Sequence, residues 1–99
     1  MTWLWTWGGV CFGYRRDDKL FAKHGRQVGR FHGDDVFGTD GRYLGELRNG
    51  RLIRRKGGKS VIHGSFAPTL GGSYAGYANY VGYVMLAGYE DFPDPESFR

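Results

Sequence analysis

A sixteen-residue pattern is written twice in succession between residues 20 and 53, in the stretch LFAKHGRQVGRFHGDDVFGTDGRYLGELRNGRLI. A shift of sixteen residues aligns positions of the same character. The aligned pairs include Gly25 with Gly41, Arg26 with Arg42, Val28 with Leu44, Gly29 with Gly45 and Val36 with Leu52. A unit this short cannot bury its apolar residues alone, so the repeat predicts similar units stacked around a common axis.

The same shift extends the repeat to the start of the chain and gives each unit the same plan. A unit begins with a short strand of two adjacent apolar residues: Leu4-Trp5, Leu20-Phe21, Val36-Phe37 and Leu52-Ile53. A glycine-bearing turn follows, and then a strand with an apolar-Gly pair: Phe12-Gly13, Val28-Gly29 and Leu44-Gly45. Strands therefore recur about every eight residues. Asn49-Gly50 predicts a two-residue hairpin turn.

Glycines inside strands indicate a steric requirement. A glycine in a strand costs about 0.5 to 1 kcal/mol relative to alanine, so its recurrence at Gly13, Gly29 and Gly45 predicts that something packs closely against those backbones. The expected occupants are large side chains of neighbouring units, such as Trp5, Phe21 or Phe37.

The register of the repeat fails after Ile53, because Pro68 stands where the next short strand is due. Proline cannot donate a hydrogen bond to a central ladder. The missing fourth Gly strand is therefore expected at Val81-Gly82-Tyr83-Val84, within a closing strand at about residues 80–89. Residues 54–79 then form a basic, glycine-rich loop insertion.

These features predict one all-β domain over residues 1–99. Its core, residues 3–53, consists of two-stranded hairpin repeats of about sixteen residues, four in all, around a pseudo-four-fold axis that the C-terminal strand closes. The 18 glycines and 17% aromatic residues agree with turns and strands. Residues 90–99 read as an extended acidic tail that could fold back on the basic segment.

The motifs LWTWGGVCFGYR, HGRQVGRFHGDDVF and DGRYLGELRNGRLI resemble those of the bacterial four-fold beta-flower domain family, as does the later YVGYVMLAGYEDFP. The resemblance covers about residues 3–56. It implies four β-hairpins about a pseudo-four-fold axis, without an established activity, and so it assigns no catalytic residues.

Two candidate functional sites follow from the residues. Trp3, Trp5 and Trp7 share one face of a strand, which favours a contact with a protein partner or a second copy in a homo-oligomer. The alternative is nucleic-acid binding by the basic segment 48–59 and the tyrosines of residues 74–83. Its candidate residues are Arg51, Arg54, Arg55, Lys56, Lys59, Tyr74 and Tyr77, within a net charge of +4.

No catalytic set or metal spacing is expected. Cys11 is the only cysteine, and the three histidines lie apart in the sequence. The leading hypothesis is a non-enzymatic interaction module without cofactor, small-molecule substrate or membrane contact. The opening residues do not resemble a signal peptide, so a cytoplasmic location is expected.

Overall fold

A computed structural model describes residues 1–99, and it is built almost entirely from strands. The strands are β1 (Thr2–Thr6), β2 (Cys11–Arg16), β3 (Lys19–Ala22), β4 (Gln27–His32), β5 (Asp35–Phe37), β6 (Tyr43–Arg48), β7 (Arg51–Arg55) and β8 (Tyr89–Asp91). One short 3-10 helix, Pro95–Phe98, follows. The structure has no helix that is long and apolar enough to cross a membrane. The all-β prediction is confirmed.

The first seven strands form a closed barrel. Each pairs antiparallel with the next along the chain, and β1 returns to β7 in a parallel pairing of Trp5 with Arg51 and Thr6 with Leu52. The additional strand β8 lies antiparallel to the second half of β7, with Arg54 opposite Glu90. Closure leaves the first seven strands with neighbours on both sides, which removes exposed sheet edges over much of their length.

Tight turns join the strands where the sequence predicted a reversal. Asn49 and Gly50 connect β6 to β7 with φ angles of 49° and 74°. Two successive positive φ values are those of the hairpin turn whose twist matches the flanking strands. The prediction of a hairpin turn at Asn49-Gly50 is confirmed.

A β-bulge recurs at the same place in three repeat units. The register shifts between Leu4 and Trp5, between Leu20 and Phe21, and between Val36 and Phe37. In each case the partner strand holds one extra residue: Phe12, Val28 or Leu44. A bulge breaks the two-residue alternation of a strand. Val28 therefore joins Phe31 in the hydrophobic core, although the two are an odd number of residues apart.

The core repeats with the sequence. It contains nine buried residues: Leu4, Phe12, Leu20, Ala22, Val28, Phe31, Val36, Leu52 and Phe92. Four of them, Leu4, Leu20, Val36 and Leu52, are the first residues of the four adjacent apolar pairs. One sequence position in each unit thus supplies the same part of the core.

The strand glycines are required because neighbouring strands approach them closely. A Cβ on Gly13 would overlap the carbonyl oxygen of Phe21. At Gly29 it would lie 2.6 Å from Val36 Cγ1, and at Gly45 2.5 Å from the Phe92 ring. The predicted steric requirement is confirmed. The expected occupants were wrong, because backbone atoms together with Val36 and Phe92 fill the notches.

The position of the closing strand was also wrong. Val81–Val84 is not a strand, and the strand that pairs with β7 is β8, Tyr89–Asp91. Gly82 has a different role from the strand glycines, because a Cβ there would lie 2.8 Å from the carbonyl oxygen of Gly8. Its missing side chain allows the segment to pass over the turn after β1.

The C-terminal residues are not an extended tail. Glu90 and Asp91 belong to β8, and Phe92 and Pro95 are buried. Asp94 accepts a hydrogen bond from the Glu96 N–H and caps the 3-10 helix. The prediction that the acidic end folds back on the basic segment is confirmed by the pairing of β8 with β7.

Residues 56–88, which we call the belt, connect β7 to β8 by a route around the barrel. The segment predicted as an insertion, 54–79, differs from it because Arg54 and Arg55 belong to β7. Three belt N–H groups donate to turn glycines of successive units: His63 to Gly41 (2.9 Å), Gly71 to Gly25 (2.8 Å) and Tyr80 to Gly9 (2.8 Å). The belt therefore contacts the third, second and first units in that order.

The glycine notch can be tested in β2. We expect Gly13→Ala to lower the free energy of unfolding by about 2 kcal/mol or more, because the methyl group must displace the backbone of β3. Urea unfolding followed by tryptophan fluorescence measures the change. Gly57→Ala is the matched control, since a Cβ there meets nothing within 4 Å. Equal stability of the two variants would contradict the packing argument.

Candidate interaction surface

The three tryptophans of the first repeat lie under the second half of the belt. Trp7 is only 3% exposed, whereas Trp3 and Trp5 are half-buried. The indole N–H of Trp5 donates to the Ala78 carbonyl at 3.0 Å, and that of Trp7 to the Val84 carbonyl at 3.0 Å. Two of the three candidate contact residues therefore use their polar atoms to hold the belt.

The belt tyrosines pack against the same tryptophans. Trp3 contacts Tyr74 and Tyr77 edge to face at centroid distances of 5.6 and 5.0 Å. Trp5 stacks on Tyr80 at 4.3 Å, and Trp7 contacts Tyr83 at 5.0 Å. The tryptophans and tyrosines, assigned by the sequence to two alternative sites, form one surface. We call it the aromatic face; it comprises Trp3, Trp5, Tyr74, Tyr77, Tyr80, Tyr83 and the exposed apolar residues described below.

Polar contacts fix the path of the belt across the first unit. The Tyr14 hydroxyl donates to the Gly72 carbonyl at 2.7 Å. The Asn79 side chain accepts from the Cys11 N–H at 2.9 Å. Both contacts satisfy polar groups of β2 that the belt covers, which holds the tyrosines in register with the tryptophans.

Arg51 joins the aromatic face to the barrel. Its guanidinium lies 3.8 Å from the centroid of the Tyr83 ring and donates to the Val81 carbonyl at 2.8 Å and the Trp7 carbonyl at 3.3 Å. Arginine over an aromatic ring combines a cation–π contact with directional hydrogen bonds. The predicted nucleic-acid residue Arg51 therefore stabilises the end of the belt.

Most of the remaining basic candidates have partners within the chain. Arg54 lies 3.9 Å from the Glu90 carboxylate, and Lys59 donates to both Asp35 oxygens at 2.9 and 3.0 Å. A hydrogen bond with the Tyr89 phenol raises the pKa of Arg55. The Lys56 side chain makes neither a hydrogen bond nor an ion pair within the chain, although its backbone N–H donates to the Gly88 carbonyl at 3.0 Å. The sequence could place these cations close together but could not show that most have partners.

An exposed aliphatic group completes the aromatic face, and the sequence analysis missed it. Val81 and Val84 are 89% and 91% exposed, and Met85 and Met1 are also exposed. The sequence did contain a signal for this exposed group, because residues 60–89 include no Asp, Glu, Lys or Arg. The belt docks partly through its backbone, so some apolar side chains of this uncharged segment remain exposed to solvent.

Two histidines meet on another part of the belt. The rings of His32 and His63 stack at a centroid distance of 3.7 Å, and His63 packs edge to face on Phe37 at 4.3 Å. The sequence had shown only that the histidines lie apart along the chain. The contact of His63 with Phe37 places the belt over the third unit in the same way that the Tyr80–Trp5 stack places it over the first. No cluster of three or more potential metal ligands is present.

Two buried phenols support the belt and the barrel. Burial raises the pKa of Tyr14, whose hydroxyl meets the belt at Gly72. Burial also raises the pKa of Tyr43 strongly, and the hydrogen bond that its hydroxyl donates to Glu46 at 2.8 Å raises it further. The Arg55 N–H, which donates to the Tyr43 oxygen at 3.0 Å, opposes this shift. Both phenols are neutral when the protein is folded at neutral pH.

The family comparison agrees with this architecture. The family model described as 4-fold beta flower protein matches residues 2–80, which is more than half of the chain. The chain therefore belongs to the 4-fold beta flower family. The match includes the seven barrel strands and the belt as far as Tyr80, while the aliphatic residues Val81, Val84 and Met85 lie beyond it. No curated protein and no solved structure matches the chain significantly.

The docking of the belt can be tested at Gly9, which has a φ of +95° and faces the Tyr80 carbonyl. We expect Gly9→Ala to accelerate amide hydrogen exchange at Tyr80 at least about tenfold, because the methyl group separates the two backbones. The His63 amide, which docks elsewhere, should be unchanged. Gly33→Ala is the control, since Gly33 also has a positive φ but nothing lies within 4 Å of its Cβ position. Equal acceleration in both variants would assign the effect to backbone strain.

The raised phenol pKa values predict a loss of stability in alkali. A neutral phenol is favoured in the fold, so its contribution is complete below pH about 10 and is lost as the pH rises above that value. We expect the free energy of unfolding to fall by up to about 1.4 kcal/mol per pH unit for each phenol. Tyr43→Phe should be less stable at neutral pH and should show a shallower alkaline loss. Tyr77→Phe, at an exposed position, should retain the wild-type slope in urea unfolding measured from pH about 8 to 11.

Proposed function

We propose that this 4-fold beta flower protein is a non-enzymatic interaction module that binds a protein ligand through the aromatic face. The observation that supports the proposal most is the exposure of Val81 and Val84 in a segment without charge. Contiguous apolar patches larger than about a few hundred Å² are rare on monomeric proteins and mark interaction sites. A surface of this kind, rimmed by tyrosines, has the composition of a contact site.

The chemistry of the aromatic face also resembles that of energetically important interface residues. Tryptophan, tyrosine and arginine are enriched among the residues that dominate binding, and charged residues are depleted from the centre of such sites. Here Trp3, Trp5, Tyr77 and Tyr80 lie together, and Arg51 is held at their edge by fixed hydrogen bonds. Rings that already pack on one another lose little conformational freedom on binding.

Nucleic-acid binding is less well supported by the same contacts. Such binding needs cations that are free to neutralise phosphates and rings that are free to stack on bases. Arg51 and Lys59 are occupied within the fold, and the Tyr80 ring already stacks on Trp5. The geometry therefore favours a neutral ligand. A cytoplasmic location suits the buried free thiol of Cys11.

A peptide-display selection tests this function. The wild-type protein serves as bait, and enriched peptides are measured against Val81→Ser/Val84→Ser by calorimetry. We expect the double variant to bind at least about tenfold more weakly, because it removes exposed apolar contacts without disturbing the core. Val61→Ser is the matched control, since Val61 is an exposed belt valine outside the aromatic face.

Three outcomes would overturn the proposal. The first is a selection without enriched peptides, measured together with a strictly monomeric mass in light scattering. The second is equal binding by wild type and the double variant. The third is binding of single-stranded DNA that falls steeply with salt and is lost in Lys56→Ala, which would favour the nucleic-acid alternative.

A further inference from the structure

A shallow groove lies at the end of the aromatic face where the belt crosses the start of β1. It has a volume of about 270 Å³ and is lined by Met1, Trp3, Tyr74, Ala75, Gly76 and Tyr77. The small residues Ala75 and Gly76 separate the two tyrosines. Gly76 also packs closely on the barrel, because a Cβ there would lie 3.3 Å from Cys11 Sγ. Ala75 and Gly76 therefore form the base of the groove, and the aromatic rings form its sides.

The three rings of the groove form ridges. The planes of Tyr74 and Tyr77 are inclined at 82° and 85° to the Trp3 indole, at centroid distances of 5.6 and 5.0 Å. Trp3 also packs on the buried Tyr14 ring at 5.4 Å, which anchors it to the barrel. Aromatic rings held in fixed positions form a preformed surface. This surface complements a ligand that has ridges and grooves of its own.

The groove also has hydrogen-bond donors without partners. The indole N–H groups of Trp5 and Trp7 donate to belt carbonyls, but that of Trp3 has no acceptor within the chain. The hydroxyls of Tyr74 and Tyr77 likewise make no hydrogen bond within the chain, in contrast to that of Tyr14. A suitable ligand would present carbonyl oxygens to these donors.

Charge selects against other kinds of ligand. No charged side chain lines the groove, and the cations beside it are the Met1 amino group and Lys23, whose Cδ would lie 3.2 Å from a Cβ on Gly76. An acidic or phosphorylated motif would therefore find no arginine cluster there. Residues 74–80 are not a strand, so they offer no regular ladder for an added β-strand. A ligand for this groove is neutral, rich in acceptors and extended.

We propose that the groove binds a proline-rich segment of another protein in the polyproline II conformation. Such a segment has carbonyl acceptors but no proline N–H, and its pyrrolidine rings fit between aromatic ridges. It is already extended before binding, so little conformational entropy is lost. The proposal rests on the proposed function and names the ligand class of its aromatic face.

An oligoproline peptide of about ten residues is the probe, titrated into isotopically labelled protein and followed by NMR. We expect saturable shifts at the Ala75 and Gly76 amides, with a Kd between about 10 µM and 1 mM. Tyr77→Phe keeps the ring shape but removes a donor, and Trp3→Phe removes the indole N–H together with part of the ring; each should weaken binding about three- to tenfold. Tyr89→Phe is the matched control, because Tyr89 lies in β8, outside both the groove and the aromatic face.

Several results would overturn this inference. They are the absence of saturable shifts at about 5 mM peptide, equal weakening by Tyr89→Phe, and equal affinity for a Gly-Ser peptide of the same length. Display peptides that bind the aromatic face without proline, or a self-associated dimer that occupies the groove, would also reject it while the proposed function stood. The amide spectrum of each variant shows directly whether it remains folded.

Discussion

The barrel depends on the close approach of neighbouring strands at three glycines. At Gly13 the carbonyl oxygen of the next strand takes the place that a Cβ would occupy, and the contact recurs at Gly29 and Gly45. The adjacent bulge turns one extra apolar residue toward the core at each site. The same local geometry, repeated every sixteen residues, therefore curves the sheet and supplies apolar residues that fill the barrel. At Gly45 the ring against the backbone belongs to Phe92, which ties the C-terminus to the barrel.

Closing the barrel leaves a second set of large side chains on its outside, and the belt covers them. Tyr80 stacks on Trp5, Gly71 packs on the Phe21 ring, and His63 packs on Phe37. Among the basic residues of β7, Arg51 holds the end of the belt, whereas Arg54 and Arg55 have partners in β8. The aromatic side chains that the fold leaves partly exposed lie where the belt crosses β1. The proposed interaction surface is therefore at this crossing.

The repeat could be predicted from the sequence because each unit needs the same turns and the same close contacts between strands. The reasons for Gly13, Gly29, Gly45 and Asn49-Gly50 are therefore local. The closing strand could not be predicted from such a local pattern. Val81-Gly82-Tyr83-Val84 copies a Gly strand, but its glycine permits a crossing over Gly8, whereas β8 is fixed by partners far along the chain. For the site, the sequence identified the tryptophans and tyrosines individually. Their association, like the pairing of Lys59 with Asp35, depends on tertiary contacts that no local spacing encodes.

The three backbone hydrogen bonds between the belt and turn glycines have a consequence for the evolution of this surface. Each uses a main-chain N–H, from His63, Gly71 or Tyr80, and a main-chain carbonyl of the barrel. Every residue other than proline supplies that N–H, so exposed belt side chains such as Val81 and Val84 are under little demand from the framework. The fold therefore does not depend on the identity of these exposed side chains. In the proposed interaction module, substitution at such positions would change ligand preference without a new fold.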